Sequence, residues 1–276
     1  MYIVDSQVHI WGANTPERPW LPGGKPHRSE PLGKDELLAE MEASGVDRVV
    51  IVPPSWEGER NDLALEAAQS HPDRFAIMGR INPQAQSLRG TLASFHKLPG
   101  MLGLRFTFTK SLQALLVQGG MNWVWAEAEK ASLPVYVLVS HALVPLIDAV
   151  AERHPELKIA MDHLATTPGE KDKEAFREFD KLLAIAKRPN VAAKLSGLPT
   201  RSTEAYPYRN LHPYIRQAYD AFGPERLFWG TDLSHSPLSY RQNITMYTEE
   251  IPWLTTGDKE WIMGKGVCQW LNWKTT

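Results

Sequence analysis

His154-Pro155-Glu156-Leu157-Lys158-Ile159-Ala160-Met161-Asp162-His163 decides how this chain is read. Proline ends a helix because it lacks a backbone donor and clashes with the preceding turn. An acidic residue follows, and then an apolar run, Leu157–Asp162, reads as a strand that ends on ionisable side chains. The same order recurs in His71-Pro72-Asp73-Arg74-Phe75 and in Gly223-Pro224-Glu225-Arg226-Leu227. This is one kind of helix-to-strand turn used three times, not a sequence repeat.

Reading outward from these junctions gives eight strands: Tyr2–His9, Arg48–Val52, Phe75–Arg80, Leu102–Phe106, Val135–Val139, Leu157–Asp162, Val191–Leu195 and Leu227–Gly230. All but the first follow a helix-like stretch with a Gly or Pro stop: Gly45, Pro72, Pro99-Gly100, Pro134, Pro155, Pro189 and Gly223-Pro224. Asp35–Ser44, Asp62–Ser70 and Leu143–Val150 each place apolar residues on one helical face. Strict β–α alternation predicts a parallel sheet, and repeated right-handed crossovers close it into an α/β fold, the (β/α)8 TIM barrel. A doubly wound open sheet is the competing architecture. It usually has a glycine-rich phosphate turn after its first strand, where this chain has His9-Ile10-Trp11-Gly12-Ala13-Asn14. One domain over residues 1–276 is expected, with Gly12–Gly33 as a long first loop.

Thirty basic residues against thirty-two acidic ones leave a net charge of −2, and no Lys/Arg run suggests nucleic acid or an anionic membrane. A single cysteine, Cys268, rules out an internal disulfide framework and fits a reducing compartment. A strand-like run begins at Tyr2 without a signal-peptide pattern, and no apolar run reaches the roughly 18 residues of a membrane span. A cytoplasmic protein acting on a small molecule is expected, with no nucleic-acid or membrane partner; a homo-oligomer stays open.

In such a barrel the reacting groups lie at the C-terminal ends of the strands. Those ends carry Gln7 and His9, Ser55, Arg80, Arg105 and Thr107, His141, Asp162-His163, Lys194, and Asp232 with His235 beyond it. Residues that merely mark strand ends would more often be Ser, Thr and Asn. Period-two alternation puts Asp5, Gln7 and His9 on one face, and Phe228, Gly230 and Asp232 on another shared face. It groups His163 with Ile159 and Met161, and Asp162 opposite. If His9, His163 and Asp232 face the axis, two imidazoles and a carboxylate converge at the mouth. The competing readings are plain ones: Asp232 as a helix cap, the histidines as satisfied core residues, Asp5 as a deeper hydrogen-bonding group.

Three stretches carry a family resemblance: Asp5-Ser6-Gln7-Val8-His9-Ile10-Trp11, Met161-Asp162-His163-Leu164, and Trp229-Gly230-Thr231-Asp232-Leu233-Ser234-His235-Ser236-Pro237. Together they resemble the amidohydrolase-2 family, and within it the branch of pyrone-dicarboxylate, sulfomuconate and sugar-acid lactonases. The resemblance implies that His9, His163 and Asp232 form the catalytic centre and can hold one divalent metal ion, Zn2+ or Mn2+. The family's strand one ends in His-x-His, and Gln7 stands at the first histidine. An amide oxygen is a weak zinc ligand, so catalysis without metal is the other reading. Arg105, in a segment resembling the family's Gly-x-Arg-Phe, is expected to bind a substrate carboxylate. Ser55 and Asn61, in the second loop, are also expected at the substrate, with Gln7, Arg80, His141 and His235. The expected reaction is hydrolysis of a lactone of a small carboxylic or sugar acid, with Asp232 as general base and His9 and His163 polarising the carbonyl. The alternatives are a metal-dependent decarboxylase and a non-catalytic binding barrel.

Overall fold

The computed structural model describes residues 1–25, 28–108 and 110–274. Its strands are β1 (Val4–Val8), β2 (Arg48–Ile51), β3 (Phe75–Gly79), β4 (Met101–Thr107), β5 (Val135–Leu138), β6 (Ile159–Met161), β7 (Val191–Ser196) and β8 (Leu227–Gly230). They pair in that order, and each ladder from β1–β2 to β7–β8 is parallel. The barrel closes where the Asp232 N–H donates to the Gln7 carbonyl at 2.9 Å. Asp5 reinforces that seam: its carboxylate accepts from the Thr231 N–H at 2.9 Å and hydroxyl at 2.6 Å, and from the Tyr240 hydroxyl at 2.9 Å.

The helices are α1 (Lys34–Ser44), α2 (Asp62–Ser70), α3 (Lys110–Val117), α4 (Asn122–Lys130), α5 (Val144–Arg153), α6 (Asp172–Ala175), α7 (Phe179–Ile185), α8 (His212–Phe222), α9 (Tyr240–Thr248), α10 (Thr256–Glu260) and α11 (Gly266–Trp270). Gly45 ends α1 in the left-handed conformation, at φ 76° and ψ 33°. Between β3 and β4 there are only short 3-10 turns, Gln86–Leu88 and Leu92–Lys97, in place of the expected helix. Pro83, Gly90 and Pro99 divide that segment into pieces too short to repay helix nucleation.

Inside the barrel, Val4, Val50, Met78, Tyr136, Ala160 and Phe228 pack together and are fully buried. The C-terminal segment covers the N-terminal ends of the strands, where Trp270 and Lys274 carbonyls accept from Lys158 at 3.0 Å and Arg48 at 2.7 Å. The opposite end is left open for chemistry.

Two expectations about facing are corrected. The register of β1 is irregular between Asp5 and Val8, so Asp5 reaches Tyr240 of α9 while Gln7 reaches Lys194. On β6, Ala160 belongs to the interior cluster, while Ile159 and Met161 belong to the outer core. Alternation therefore sends Asp162 inward. His163 comes to the mouth by another route: regular strand geometry ends at Met161, and His163, Leu164 and Ala165 take φ values of 51°, 52° and 56°.

Candidate active site

The centre is built from three chain turns. His9 follows β1, and its Nδ1 lies 2.5 Å from the Val52 carbonyl oxygen. His163 sits in the left-handed turn, its Nδ1 3.0 Å from the Ser196 carbonyl oxygen and 2.9 Å from Ser196 Oγ. A carbonyl only accepts, so Nδ1 carries the proton in each ring and Nε2 is turned to the cavity. Asp232 stands at φ 50° just after β8, a conformation that Asp adopts more readily than most residues. His9 Nε2 is 3.2 Å from Asp232 Oδ1, and His163 Nε2 is 3.9 Å from Oδ2.

Burial by itself would raise the Asp232 carboxyl. The contact with His9 and the fields of His163, His9 and His235 outweigh it and hold the group well below the usual carboxylate range. Burial pushes His163 and His235 the other way, each down to about 4, against the attraction of Asp232. At neutral pH the carboxylate is ionised and both of those imidazoles are neutral.

A cationic wall faces this group. Arg105 donates through Nε to Asp162 Oδ2 at 3.1 Å and through Nη1 to Thr107 Oγ1. Arg80 lies behind it, donating to the Pro53 carbonyl at 2.6 Å and to Thr107 Oγ1 at 3.0 Å. Burial and the adjacent Arg105 charge push Arg80 down to about 9, still cationic at neutral pH. Arg201, in the turn after β7, donates to Thr166 Oγ1 at 2.9 Å. Deeper on the axis, Lys194 donates to Gln7 Oε1 and lies 3.0 Å from Asp162 Oδ1. Arg80, Arg105, Lys194 and Arg201 thus surround two buried carboxylates, Asp162 and Asp232, and the surplus charge suits an anion.

A cavity of about 230 Å3 opens above, lined by His9, Ser55, Trp56, Arg105, Thr107, His163, Arg201, Asp232 and His235 among others. This is below the ~300–1,000 Å3 of pockets for drug-sized ligands, so the occupant is small. A larger groove of about 580 Å3, lined by Tyr2, Trp261, Cys268 and Trp273, lies at the covered end, away from these groups.

His9, His163 and Asp232 are therefore brought together, with Arg105, Ser55 and His235 around the same cavity. Gln7 is buried beneath them, and Arg80 stands behind Arg105. Asn61 is turned to the main chain of Arg80, accepting from its N–H and donating to its carbonyl, both at 2.8 Å. His141 lies outside the cavity: its Nε2 is 2.9 Å from the Leu164 carbonyl oxygen and its ring stands edge-on to Phe179. Of the early tryptophans, Trp56 lines the cavity, with Trp11 and Trp20 packed against it at ring-centroid distances of 5.6 and 6.5 Å. Sequence reasoning missed Arg201 and did not give Asp162 an inward role. Arg201 lies one 3-10 turn past β7 in Leu198-Pro199-Thr200-Arg201, so a survey extended beyond the strand ends would have found it.

Among the described residues no group of three or more His, Cys, Asp and Glu is arranged to hold a metal ion. The amide oxygen of Gln7, which would be the next donor on β1, is taken by Lys194.

The family model for amidohydrolases matches residues 4–265. An L-fucono-1,5-lactonase of Burkholderia ambifaria is 29% identical over 245 residues, covering 86% of this chain and 81% of that protein. A 4-sulfomuconolactone hydrolase of Hydrogenophaga intermedia is 26% identical over 246 residues, covering 84% of this chain and 74% of that protein. A crystal structure of an amidohydrolase from Burkholderia multivorans with bound zinc superimposes at a TM-score of 0.83 and 22% identity, covering 99% of each chain. No helix among the described residues is long and apolar enough to cross a membrane. With a match running from β1 into the segment after α10, this chain belongs to the amidohydrolase family.

Proposed function

We propose that this protein is a hydrolase that opens the cyclic ester of a small, carboxylate-bearing lactone. The observation that carries the reading is the pairing of ionised Asp232, flanked by His9 and His163, with the guanidinium groups of Arg105 and Arg201 in one small cavity. The names of the two relatives, both lactone hydrolases, support it.

Arg105 and Arg201 take the substrate carboxylate and orient the ring, which supplies much of the barrier reduction through positioning. Asp232 accepts a proton from a water as its oxygen adds to the ester carbonyl carbon. Neutral His163 has no Nε2 proton to give to a carbonyl, so its part is to accept a hydrogen bond from that water and aim it. The negative charge that develops on the carbonyl oxygen falls in the field of the surrounding cations. When the ring C–O bond breaks, Asp232 returns its proton to the leaving oxygen, giving a hydroxy acid. Because Asp232 is a weak base, the proton resides on it only briefly.

The test is acid release from a panel of carboxylate-bearing and neutral lactones, with evolved CO2 followed in parallel. Ring opening without CO2 is expected, faster for the anionic lactones. Asp232→Asn is expected to lower turnover about 10²–10⁴-fold with the fold intact. Native turnover by that variant, or CO2 as product, would refute the reading.

A further inference from the structure

The mechanism gives Lys194 no contact with the substrate, although its side chain is fully buried on the barrel axis. It has partners from three strands. Gln7 Oε1 is the acceptor from β1, Asp162 Oδ1 lies 3.0 Å away just past β6, and the Tyr136 ring of β5 lies with its centroid 4.0 Å from Nζ. Burying a charged side chain costs more than placing an apolar one of the same size, so such a lysine needs a reason.

The reason lies in what it does to Gln7. A lysine amine offers donors to an acceptor oxygen, so the contact with Oε1 determines which way the amide lies. Its nitrogen then faces His9, with Nε2 of Gln7 3.4 Å from Nε2 of His9. An amide oxygen in that place would be an acceptor and a cation ligand. An amide N–H there is a donor and turns a cation away.

We propose that Lys194 is a positioning residue that holds Gln7 with its N–H toward His9, making the β1 arm of the centre a hydrogen-bond donor instead of a metal ligand. The same ammonium holds Asp162, whose other oxygen takes Arg105, so one buried group aligns the hydrolytic side of the cavity with its anion-binding side. This does not depend on which bond the enzyme breaks.

The test is thermal melting of the wild type, Gln7→Glu and Lys194→Met with and without excess ZnCl2. Glutamate has the shape of glutamine, keeps an oxygen for Lys194 and offers a second oxygen to His9 where the N–H was. Methionine fills the lysine's space and frees the Gln7 amide to turn. The wild-type Tm is expected to be unmoved by zinc, and both variants are expected to rise by about 3 °C or more, the size of shift that ligand binding produces. A zinc-dependent rise in the wild type, or variants as unresponsive as the wild type, would overturn the proposal. A response in Gln7→Glu but not in a folded Lys194→Met would remove Lys194 as the agent. If Lys194→Met does not fold, Gln7→Glu decides. An inactive wild type on every lactone would count against the proposed function alone, since zinc response is read without turnover.

Discussion

Asp162 shows how a single residue can be central without touching the reaction. Burial would raise its carboxyl, but Lys194 and Arg105 beside it, with His163, hold it down to about 2. The unfolded chain binds a proton near the ordinary value of 3.8, so the native state gains stability that is complete above that pH and is lost as pH falls toward 2. About two pKa units correspond to roughly 2–3 kcal/mol. Denaturant unfolding of the wild type and Asp162→Asn is expected to show a gap of that order at pH 7 that closes as the pH is lowered from 4 to about 2. A gap that stays constant with pH would mean that the ion pairs are not its source. The sequence placed Asp162 at a strand end, but alternation carried through His163 assigned it to the wrong face. Strand periodicity holds only while φ stays extended, and the chain turns left-handed at His163.

Two loops are joined at the scale of the element. The Thr166 hydroxyl donates to the His163 carbonyl at 2.7 Å and its oxygen accepts from Arg201 Nε at 2.9 Å. The turn after β6, which presents His163, is thereby tied to the turn after β7, which presents Arg201. Non-glycine residues in left-handed conformations cost roughly 1–2 kcal/mol each, so the turn needs such ties. His141 adds another through the Leu164 carbonyl, which gives it a structural place outside the cavity. Thr166→Val keeps the shape and removes both bonds. It is expected to lower kcat and raise KM, together reducing kcat/KM about 10-fold, for a stability loss of about 1–2 kcal/mol. Unchanged kinetics in the valine variant would show that the two turns are held independently. The eight strands were all legible as elements because apolar, β-branched runs between Gly and Pro stops have few alternatives. The stretch between β3 and β4 departs from the helix that β–α alternation leads one to expect, because Pro83, Gly90 and Pro99 break it.

For the whole molecule, the decisive contact is the seam between β1 and β8. Residues more than 220 positions apart meet there: Asp5 with Thr231, at |i−j| = 226. Asp5→Ala strands buried donors of Thr231 and Tyr240 and is expected to destabilise the protein by about 3 kcal/mol or more, read as a lowered denaturant midpoint. Because Asp232 N–H donates to Gln7 across the same seam, activity is expected to fall at temperatures below the onset of unfolding. Retention of full activity up to the wild-type Tm would show that the seam is not what holds Asp232.

By itself the sequence determined the barrel and the end of it where ionisable side chains collect, and it named His9, His163, Asp232 and Arg105 as candidates there. Those follow from local rules: helix stops, strand runs, and ionisable residues where strands end. Only the tertiary structure decided that Asp162 faces inward, that Arg201 joins the cavity while Asn61 and His141 are held elsewhere, and that Lys194 turns the amide of Gln7. Each of these depends on a side chain meeting a partner far away in the chain, after a left-handed turn or a register irregularity has redirected it. No spacing within a single strand contains that information.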